Sequence, residues 1–286
     1  MGDVVIAMIP ATVYGVYQFG LKALLIILVT VASCLLSEYV YESLMGKPIT
    51  IMDGSALVTG MILALNMPPE IPLWIPFLGG VFAIIVVKQF FGGIGQNFAN
   101  PAITARVIML VAFAGTMTTW TIPAFTDATS AATPLAVIAG SEGTLPSLAQ
   151  MFIGARGGSM GETSCLALLI GGIYLIARKV ISWHTPVAFI GTVLVLTALL
   201  GQQPLYQVMA GGLLIGAIFM ATDYTTSPPT PAGKLIFGVG CGLITVLIRV
   251  WGNFPEGVSF SILLMNILNP YICDWTKTKP FGGVQA

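Results

Sequence analysis

One stretch in the middle of the chain has residue types that could accept a covalent group. Residues 127–134 read DATSAATP, so small side chains dominate. Thr133 precedes a proline, which biases its backbone towards the extended region. Its hydroxyl can carry a phosphoester, and its small neighbours predict that the hydroxyl is accessible to a modifying enzyme. Asp127 could help to hold a metal-bound donor during transfer. A small-residue loop without chemistry is the competing interpretation.

Ionisable residues inside or beside apolar segments form a second group of candidates, because charge at membrane depth is costly and marks function. Arg106 either pairs with a cofactor or carboxylate, or extends to the membrane surface. Glu162 precedes a helix together with Thr163 and Ser164, where a carboxylate either caps the helix or serves a site. Two further acids, Asp223 and Asp274, end apolar segments. The competing interpretation is that each is an ordinary solvated residue at a helix end. Weaker candidates lie one helical turn apart at Glu38 and Glu42.

A glycine-rich turn supplies the remaining candidates. Residues 92–101 read GGIGQNFANP. The glycines could bring backbone N–H groups close to a ligand, or they could form only a tight turn. Asn97 is a candidate ligand contact. Asn100 is another, although an N-cap with Pro101 at the first helical position explains it equally well.

These candidates lie in a chain whose composition is that of a membrane protein. Of 286 residues, 56% are hydrophobic and 8% are charged, against roughly 25% charged in soluble domains. The formal net charge of +0 offers no basic surface for nucleic acid. The four cysteines are far apart and form no C-x-x-C pair, which argues against a metal site made by this chain alone.

The apolar segments predict an all-α polytopic membrane protein with about ten transmembrane helices. Several segments are shorter than the ~20 residues needed for a full crossing, so we expect some broken or half-spanning helices. We treat 1–286 as one transmembrane domain, with halves at about 1–118 and 163–286 and a loop at about 119–162. The segments are Val4–Phe19, Leu21–Tyr41, Ile51–Leu65, Leu73–Phe90, Ala102–Thr118, Thr163–Ala177, Thr185–Leu200, Val208–Ala221, Leu235–Val250 and Val258–Ile272.

The distribution of basic residues predicts the orientation. With both termini in the cytoplasm, the cytoplasmic ends hold most of the lysines and arginines, among them Lys47, Lys88 and Lys234. The outer ends then hold only Lys22, Arg156 and Arg249. This topology places the 119–162 loop, and Thr133 with it, on the extracytoplasmic side.

A weak internal repeat accompanies this topology. Residues 53–57 read DGSAL at the start of the third segment, and residues 161–166 read GETSCL at the start of the sixth. Each places a carboxylate and small polar residues before an apolar helix, and the two helices start from opposite sides. Opposed halves of this kind are typical of inverted-repeat proteins, whose sites form at broken helix ends.

The motifs together resemble one family over nearly the whole chain. The stretch from Asp127 to Thr133 resembles the D-x-x-(S/T)-G-A-T flavinylation motif, with Ser130 at the hydroxyl position and Ala131 where glycine is usual. Further family-like stretches read GGIGQNFANPA at 92–102, GETS at 161–164, FMATD at 219–223, EGVSFS at 256–261 and NILNP at 266–270. The chain resembles the D subunit of the Rnf ferredoxin:NAD⁺ oxidoreductase, whose family includes the B subunit of the Na⁺-translocating NADH:quinone reductase. The sequence lacks the long N-terminal extension of the quinone-reductase subunit, so the Rnf D subunit is the better match.

The resemblance implies a subunit of a translocase-type oxidoreductase in a prokaryotic inner membrane, not catalytic alone. It implies FMN linked through its phosphate to Thr133 by an FMN transferase that uses FAD and Mg²⁺. It also implies a second, non-covalent flavin, riboflavin, and Rnf-type partner subunits, one of which carries an extracytoplasmic FMN. Electron transfer would be coupled to Na⁺ or H⁺ movement, with Asp223 and Asp274 as ion-path candidates. The implied cofactor-site residues are Thr133, Asp127, Ser130, Glu162, Thr163, Ser164, Asn97, Asn100 and Arg106.

Two other functions fit the same composition. A flavin-free secondary transporter or channel of urea-transporter-like architecture would also have inverted repeats and broken helices. A structural scaffold for other redox subunits is the third alternative. A transporter would be colourless when purified, which separates it from a flavoprotein.

Overall fold

The structure, a computed structural model, describes residues 1–120, 133–154, 156–252 and 256–277. Every regular element within these ranges is a helix. The all-α prediction is therefore confirmed for the described residues.

The first half contains six helices. Each lies at or near a predicted segment, because long apolar runs bounded by glycine, proline or polar residues determine where helices form. They are α1 (Gly2–Phe19), α2 (Leu21–Leu44), α3 (Ser55–Leu65), α4 (Trp74–Val81, continued by a π-helical stretch Phe82–Gln89), α5 (Pro101–Ala112) and α6 (Ala114–Met117); a 3₁₀ turn Ile51–Asp53 precedes α3.

The second half differs from its prediction at two places. The 119–162 loop contains two short helices, and the predicted segment Val208–Ala221 is broken. Consecutive glycines, Gly211 and Gly212, break it with φ values of 71° and 66°, which other residues rarely adopt. The helices are α7 (Pro134–Ile138), α8 (Leu148–Ile153), α9 (Cys165–Ala177), α10 (His184–Leu199), α11 (Pro204–Met209), α12 (Leu213–Ile215, continued by a π-helical stretch Gly216–Met220), α13 (Pro231–Trp251) and α14 (Val258–Trp275).

Few of these helices could cross a bilayer unaided. Within the described ranges, only α2, with 24 residues, and α13, with 21, are both long enough and apolar enough. Shorter apolar helices include α3, α5, α9 and α10. Half-length helices fit a bundle whose interior provides hydrogen-bond partners for the backbone groups at their ends. The count of ten crossings stays a prediction.

The two halves pack into one another. Helix α1 of the first half packs along α9 of the second, α2 packs against α3 and α4, and α10 packs against α13. The α1–α9 contact is close: a Cβ placed on Gly171 would lie 2.2 Å from the carbonyl oxygen of Ala7. Small residues at such crossings let helix backbones approach, as is usual in membrane bundles.

Helix α3 ends inside the molecule and not at its surface. The carbonyl of its last residue, Leu65, accepts from Gly161 N at 2.7 Å, and the carbonyl of Met67, just beyond the helix, accepts from Met160 N at 3.3 Å. A buried helix end needs such partners because its last four carbonyls have none within the helix. The starts of the predicted repeat thus belong to two short helices, α3 and α9, and the end of α3 meets the segment before α9.

Candidate functional site

Thr133 is the N-cap residue of helix α7. Its backbone is extended, with φ −63° and ψ 154°, as expected of a residue before proline. Its hydroxyl oxygen accepts a hydrogen bond from Ala136 N at 3.3 Å, and Pro134 occupies the first helical position. The local sequence therefore forms a helix start on which the threonine hydroxyl is fixed.

The expected accessibility of this hydroxyl is wrong for the folded chain. Thr133 is 5% exposed. Helix α7 packs against α11, and Leu135 belongs to a buried cluster with Met151 and Ala210. The other two motif residues, Asp127 and Ser130, lie outside the described residues.

Glu162 holds a turn and does not cap its own helix. One carboxylate oxygen accepts from Gly211 N at 2.5 Å and the other from Ser159 Oγ at 3.3 Å. The N-cap of α9 is Ser164, whose hydroxyl accepts from Ala167 N at 3.2 Å. The interpretation of Glu162 as the cap of α9 is wrong, because it stands too early in the chain and faces the α11–α12 break. Thr163 is buried beside it and donates to Met160 O at 3.4 Å.

Two buried arginines bind the carbonyls at the end of α11. Arg156 donates to Met209 O, and to Glu162 O at 2.8 Å. Arg249 of α13 donates to Gln207 O at 2.6 Å and Ala210 O at 3.0 Å. Cations at a helix C-terminus satisfy unpaired carbonyls and favour the negative end of the dipole. These arginines fix the glycine break next to α7.

Arg106 pairs with a carboxylate, which decides between its two interpretations. It forms a buried ion pair with Glu256, and it donates to Ser259 Oγ at 2.6 Å and Asn66 O at 3.2 Å. The side chain is 6% exposed and so does not extend to the surface. It joins the end of α3 to α5 and to the segment before α14.

We call these five buried charges the arginine cluster: Arg106, Arg156, Glu162, Arg249 and Glu256. A cavity of about 370 Å³ adjoins it, within the ~300–1,000 Å³ range of ligand pockets. The cavity lies between α7 and the end of α13. Its lining includes Leu135, Ile138, Ala139, Gln207, Arg249 and Trp251.

A second buried polar group surrounds Lys88 and is called the lysine cluster: Glu38, Glu42, Ser55, Lys88 and Gln89. Lys88 forms an ion pair with Glu38 and donates to Ser55 Oγ at 2.5 Å. Gln89 Nε2 donates to Glu38 at 3.2 Å and to Glu42 at 3.1 Å. Lys88 and Gln89 lie in the π-helical stretch after α4; such stretches are rare and often occur at functional sites.

The structure brings together Asn97 and Asn100, predicted as cofactor contacts, and Asp223, predicted as an ion-path acid. Asn100 caps α5, accepting from Ala102 N at 3.0 Å, so its capping interpretation is confirmed. Its Nδ2 also donates to Asp223 at 3.5 Å. The three line a cavity of about 90 Å³ that also reaches Lys88, and the buried Oδ1 of Asn97 has no partner.

Comparison with known proteins gives the family. A sequence model of the NQR2, RnfD, RnfE family matches residues 1–282. The chain belongs to this family. It is 47% identical over 285 residues to the D subunit of the Na⁺-translocating ferredoxin:NAD⁺ oxidoreductase complex of Acetobacterium woodii, covering 99% of this chain and 90% of that protein.

Other relatives carry related names. The chain is 43% identical to the D subunit of the proton-translocating ferredoxin:NAD⁺ oxidoreductase complex of Clostridium ljungdahlii, covering 99% of this chain and 91% of the relative. It is 40% identical to the D subunit of the ion-translocating oxidoreductase complex of Stutzerimonas stutzeri, with the same coverage. The resemblance stated from the motifs is thereby confirmed.

Two predicted residues of this family member lie away from both clusters. Asp274 is exposed near the C-terminal end of α14 and pairs with Lys277 at 2.5 Å. It occupies the solvated end position, and its ion-path role stays a prediction. The single histidine, His184, is predicted from its place beside Trp183 to be an interfacial residue and not a ligand. It stacks on Trp183 with ring centroids 4.2 Å apart, and its interfacial position stays a prediction.

Sequence reasoning missed four charged members of the clusters. The charge distribution predicts Lys88 at the solvated cytoplasmic ends, yet it is 2% exposed. The same pattern treats Arg156 and Arg249 only as outer-end charges, and Glu256 enters only as part of a motif. A signal for Lys88 was present: it lies two residues from the end of an apolar run, beside a glutamine, in a chain with two glutamates spaced one turn apart.

Proposed function

We propose that this chain is the membrane flavoprotein D subunit of an ion-translocating ferredoxin:NAD⁺ oxidoreductase complex. In this proposal it passes electrons through FMN esterified to Thr133, and this transfer is coupled to Na⁺ or H⁺ translocation. The observation that carries it is the position of Thr133: the motif threonine starts a short helix beside a buried arginine and a cavity of ligand size. The names of the relatives support the assembly.

The attachment is a phosphoryl transfer from FAD. The oxygen of the Thr133 hydroxyl bonds to the flavin-side phosphorus, the pyrophosphate P–O bond breaks, AMP leaves and the hydroxyl proton is released. The external transferase supplies Mg²⁺. Because Thr133 is a buried N-cap, its release from the cap opposes transfer by about 1 kcal/mol. We therefore place the modification before α7 packs onto α11, or during its transient opening.

The residues around α7 fit a bound FMN. Leu135, Ile138 and Ala139 give the cavity an apolar wall, and Gln207 and Arg249 give it hydrogen-bond donors. FMN supplies the electron-transfer chemistry, while the chain positions it and keeps it attached. A tether on the predicted outer face prevents loss by dilution. The partner that delivers electrons is an extracytoplasmic FMN-bearing subunit of the same complex.

The proposed riboflavin site lies around Asn97, Asn100 and Asp223. The 90 Å³ cavity is too small for an isoalloxazine by itself. A second cavity of about 560 Å³ adjoins it and shares four lining residues, including Thr222 and Tyr224. Riboflavin would occupy both, with the unpartnered Oδ1 of Asn97 accepting from the flavin. This placement requires Tyr224 to shift away from its hydrogen bond to Val180 O.

Mass spectrometry of the purified chain tests the covalent flavin. In protein produced with its transferase, the peptide that contains Thr133 should gain the mass of FMN less one water, and a gel band at 30.1 kDa should fluoresce. Thr133→Ala should remove both signals. Thr129→Ala, the same change at the other threonine of the motif stretch, should keep them.

An unmodified Thr133 peptide from protein made alongside the transferase would overturn the flavin assignment. If the protein were also colourless, it would support the flavin-free transporter. Half-length helices such as α3 and α9 are the observation that favours the transporter alternative, because transporters build their sites from broken helices.

A further inference from the structure

The arginine cluster has more positive than negative charge. Its three arginines are 4–8% exposed, and its two glutamates, Glu162 and Glu256, are 3% and 9% exposed. With ordinary protonation, one positive charge among them has no carboxylate to balance it. Buried charge without a counter-charge is costly, so this surplus calls for an anion.

The three arginines are not equally satisfied. Arg106 pairs with Glu256, and every side-chain nitrogen of Arg156 has a partner. Arg249 contacts only uncharged oxygens, and its buried Nε has no hydrogen-bond partner. Of the three, it is also the one that lines the 370 Å³ cavity. The uncompensated charge therefore belongs most directly to Arg249.

Arg249 lies beside the helix that begins with Thr133. A Cβ placed on Gly211 would meet Leu135 Cδ1 at 2.2 Å and Arg249 Nη2 at 2.5 Å. The Leu135 side chain and the Arg249 guanidinium therefore both lie against Gly211, in the α11–α12 break. Leu135 is only two residues after Thr133. A guanidinium at this place is close to the start of α7, and its positive charge and free Nε–H suit a phosphate oxygen.

We propose that Arg249 is the positioning residue for the flavin phosphodiester at Thr133, and that the cavity it lines receives the isoalloxazine ring. This inference rests on the proposed function. The phosphodiester carries one negative charge, which balances the cluster. Unmodified protein lacks that charge, so attachment of FMN should stabilise the fold.

A thermodynamic cycle between residue 249 and the flavin tests the proposal. The thermal midpoint is measured with and without FMN, by producing each variant with or without the transferase. The wild type should gain stability on modification. Arg249→Gln should lose most of that gain, and Arg249→Lys, which keeps the charge but not the free Nε–H, should keep part of it. Arg156→Gln is the matched control: it should lower both midpoints and leave the gain intact.

Two outcomes of this cycle would overturn the inference. One is a full gain in Arg249→Gln, and the other is an equal loss in Arg156→Gln, which would show a general structural effect. An absence of FMN from the wild-type Thr133 peptide would overturn the proposed function as well, so the two failures are distinguishable by mass spectrometry.

A second variant tests the cavity without changing any charge. Ala139→Trp fills the space at the end of α7, and it should make the attached flavin more accessible to iodide quenching while leaving its amount unchanged. Ala136→Trp, on the same helix but outside the cavity lining, is the control. Equal quenching in Ala139→Trp and the wild type would overturn the placement of the ring.

Discussion

Removal of one partner from the buried ion pair between Lys88 and Glu38 should destabilise the fold strongly, because the other charge is then left buried and unpaired. Lys88 is 2% exposed and Glu38 is 0% exposed, and one Glu38 oxygen already has no hydrogen-bond partner. Lys88→Met keeps the length of the side chain and removes its charge. The carboxylate of Glu38 is then left buried with only Gln89 Nε2, at 3.2 Å, to interact with it.

The structure sets the expected magnitude. Removal of one partner of a buried pair costs about 3–5 kcal/mol, and the remaining Gln89 contact favours the lower end of that range. Glu38→Gln in the same background removes the unpaired charge. The double variant Glu38→Gln, Lys88→Met should therefore be more stable than the Lys88→Met single variant, with a coupling energy of about 2 kcal/mol or more.

The assay is denaturant or thermal unfolding of the detergent-solubilised protein, with all three variants and the wild type in one cycle. The exposed pair of Lys22 and Glu70 provides the control, since its side chains are 55% and 45% exposed. Lys22→Met should cost less than about 1 kcal/mol. Additive losses at Glu38 and Lys88, or equal losses in Lys88→Met and Lys22→Met, would refute the reasoning.

Two further substitutions test the local geometry. Gly211→Ala should unfold at a lower temperature and carry less FMN, because φ at Gly211 is 71° and the added Cβ would meet Leu135 Cδ1 at 2.2 Å. Gly191→Ala is the control and should show neither effect, because a Cβ there has no neighbouring atom within 4 Å. Asn100→Ala should lower the free energy of unfolding by about 1 kcal/mol through loss of the α5 cap, as measured by thermal unfolding. Asn100→Ser, which can still cap the helix, should retain most of that stability, and equal losses in the two variants would contradict the capping role.

The helix positions were predictable because they depend on local sequence. Apolar runs indicate the positions of α2, α9 and α13, and the N-cap at Asn100 follows from Asn-Pro at a helix start. The break at Gly211 and Gly212 also had a local signal, since paired glycines interrupt helices. The prediction of Val208–Ala221 as one segment fails there because its hydropathy continues across the break.

The partners of the buried charges were not predictable in this way. Lys88 and Glu38 are 50 residues apart, and Arg106 and Glu256 are 150 residues apart. A single sequence contains no information about which of the distant charged residues will meet. The burial of Thr133 was missed for a related reason: burial follows from tertiary packing, and α7 packs against α11, a helix that begins only at Pro204.

Helix α3 connects the two clusters. Its first residue, Ser55, accepts from Lys88, and the carbonyl of Asn66 just after its end accepts from Arg106. With 11 residues, α3 is about 16 Å long. Under the proposed function, one unit of charge added at the arginine cluster changes the energy of a charge at the lysine cluster by about 1 kcal/mol at an effective dielectric constant of ~20. That equals roughly a fivefold change in the equilibrium constant of any step that alters the charge of the lysine cluster by one unit. Linkage makes the effect reciprocal, so a unit change of charge at the lysine cluster would alter the equilibrium for adding charge at the arginine cluster by the same factor.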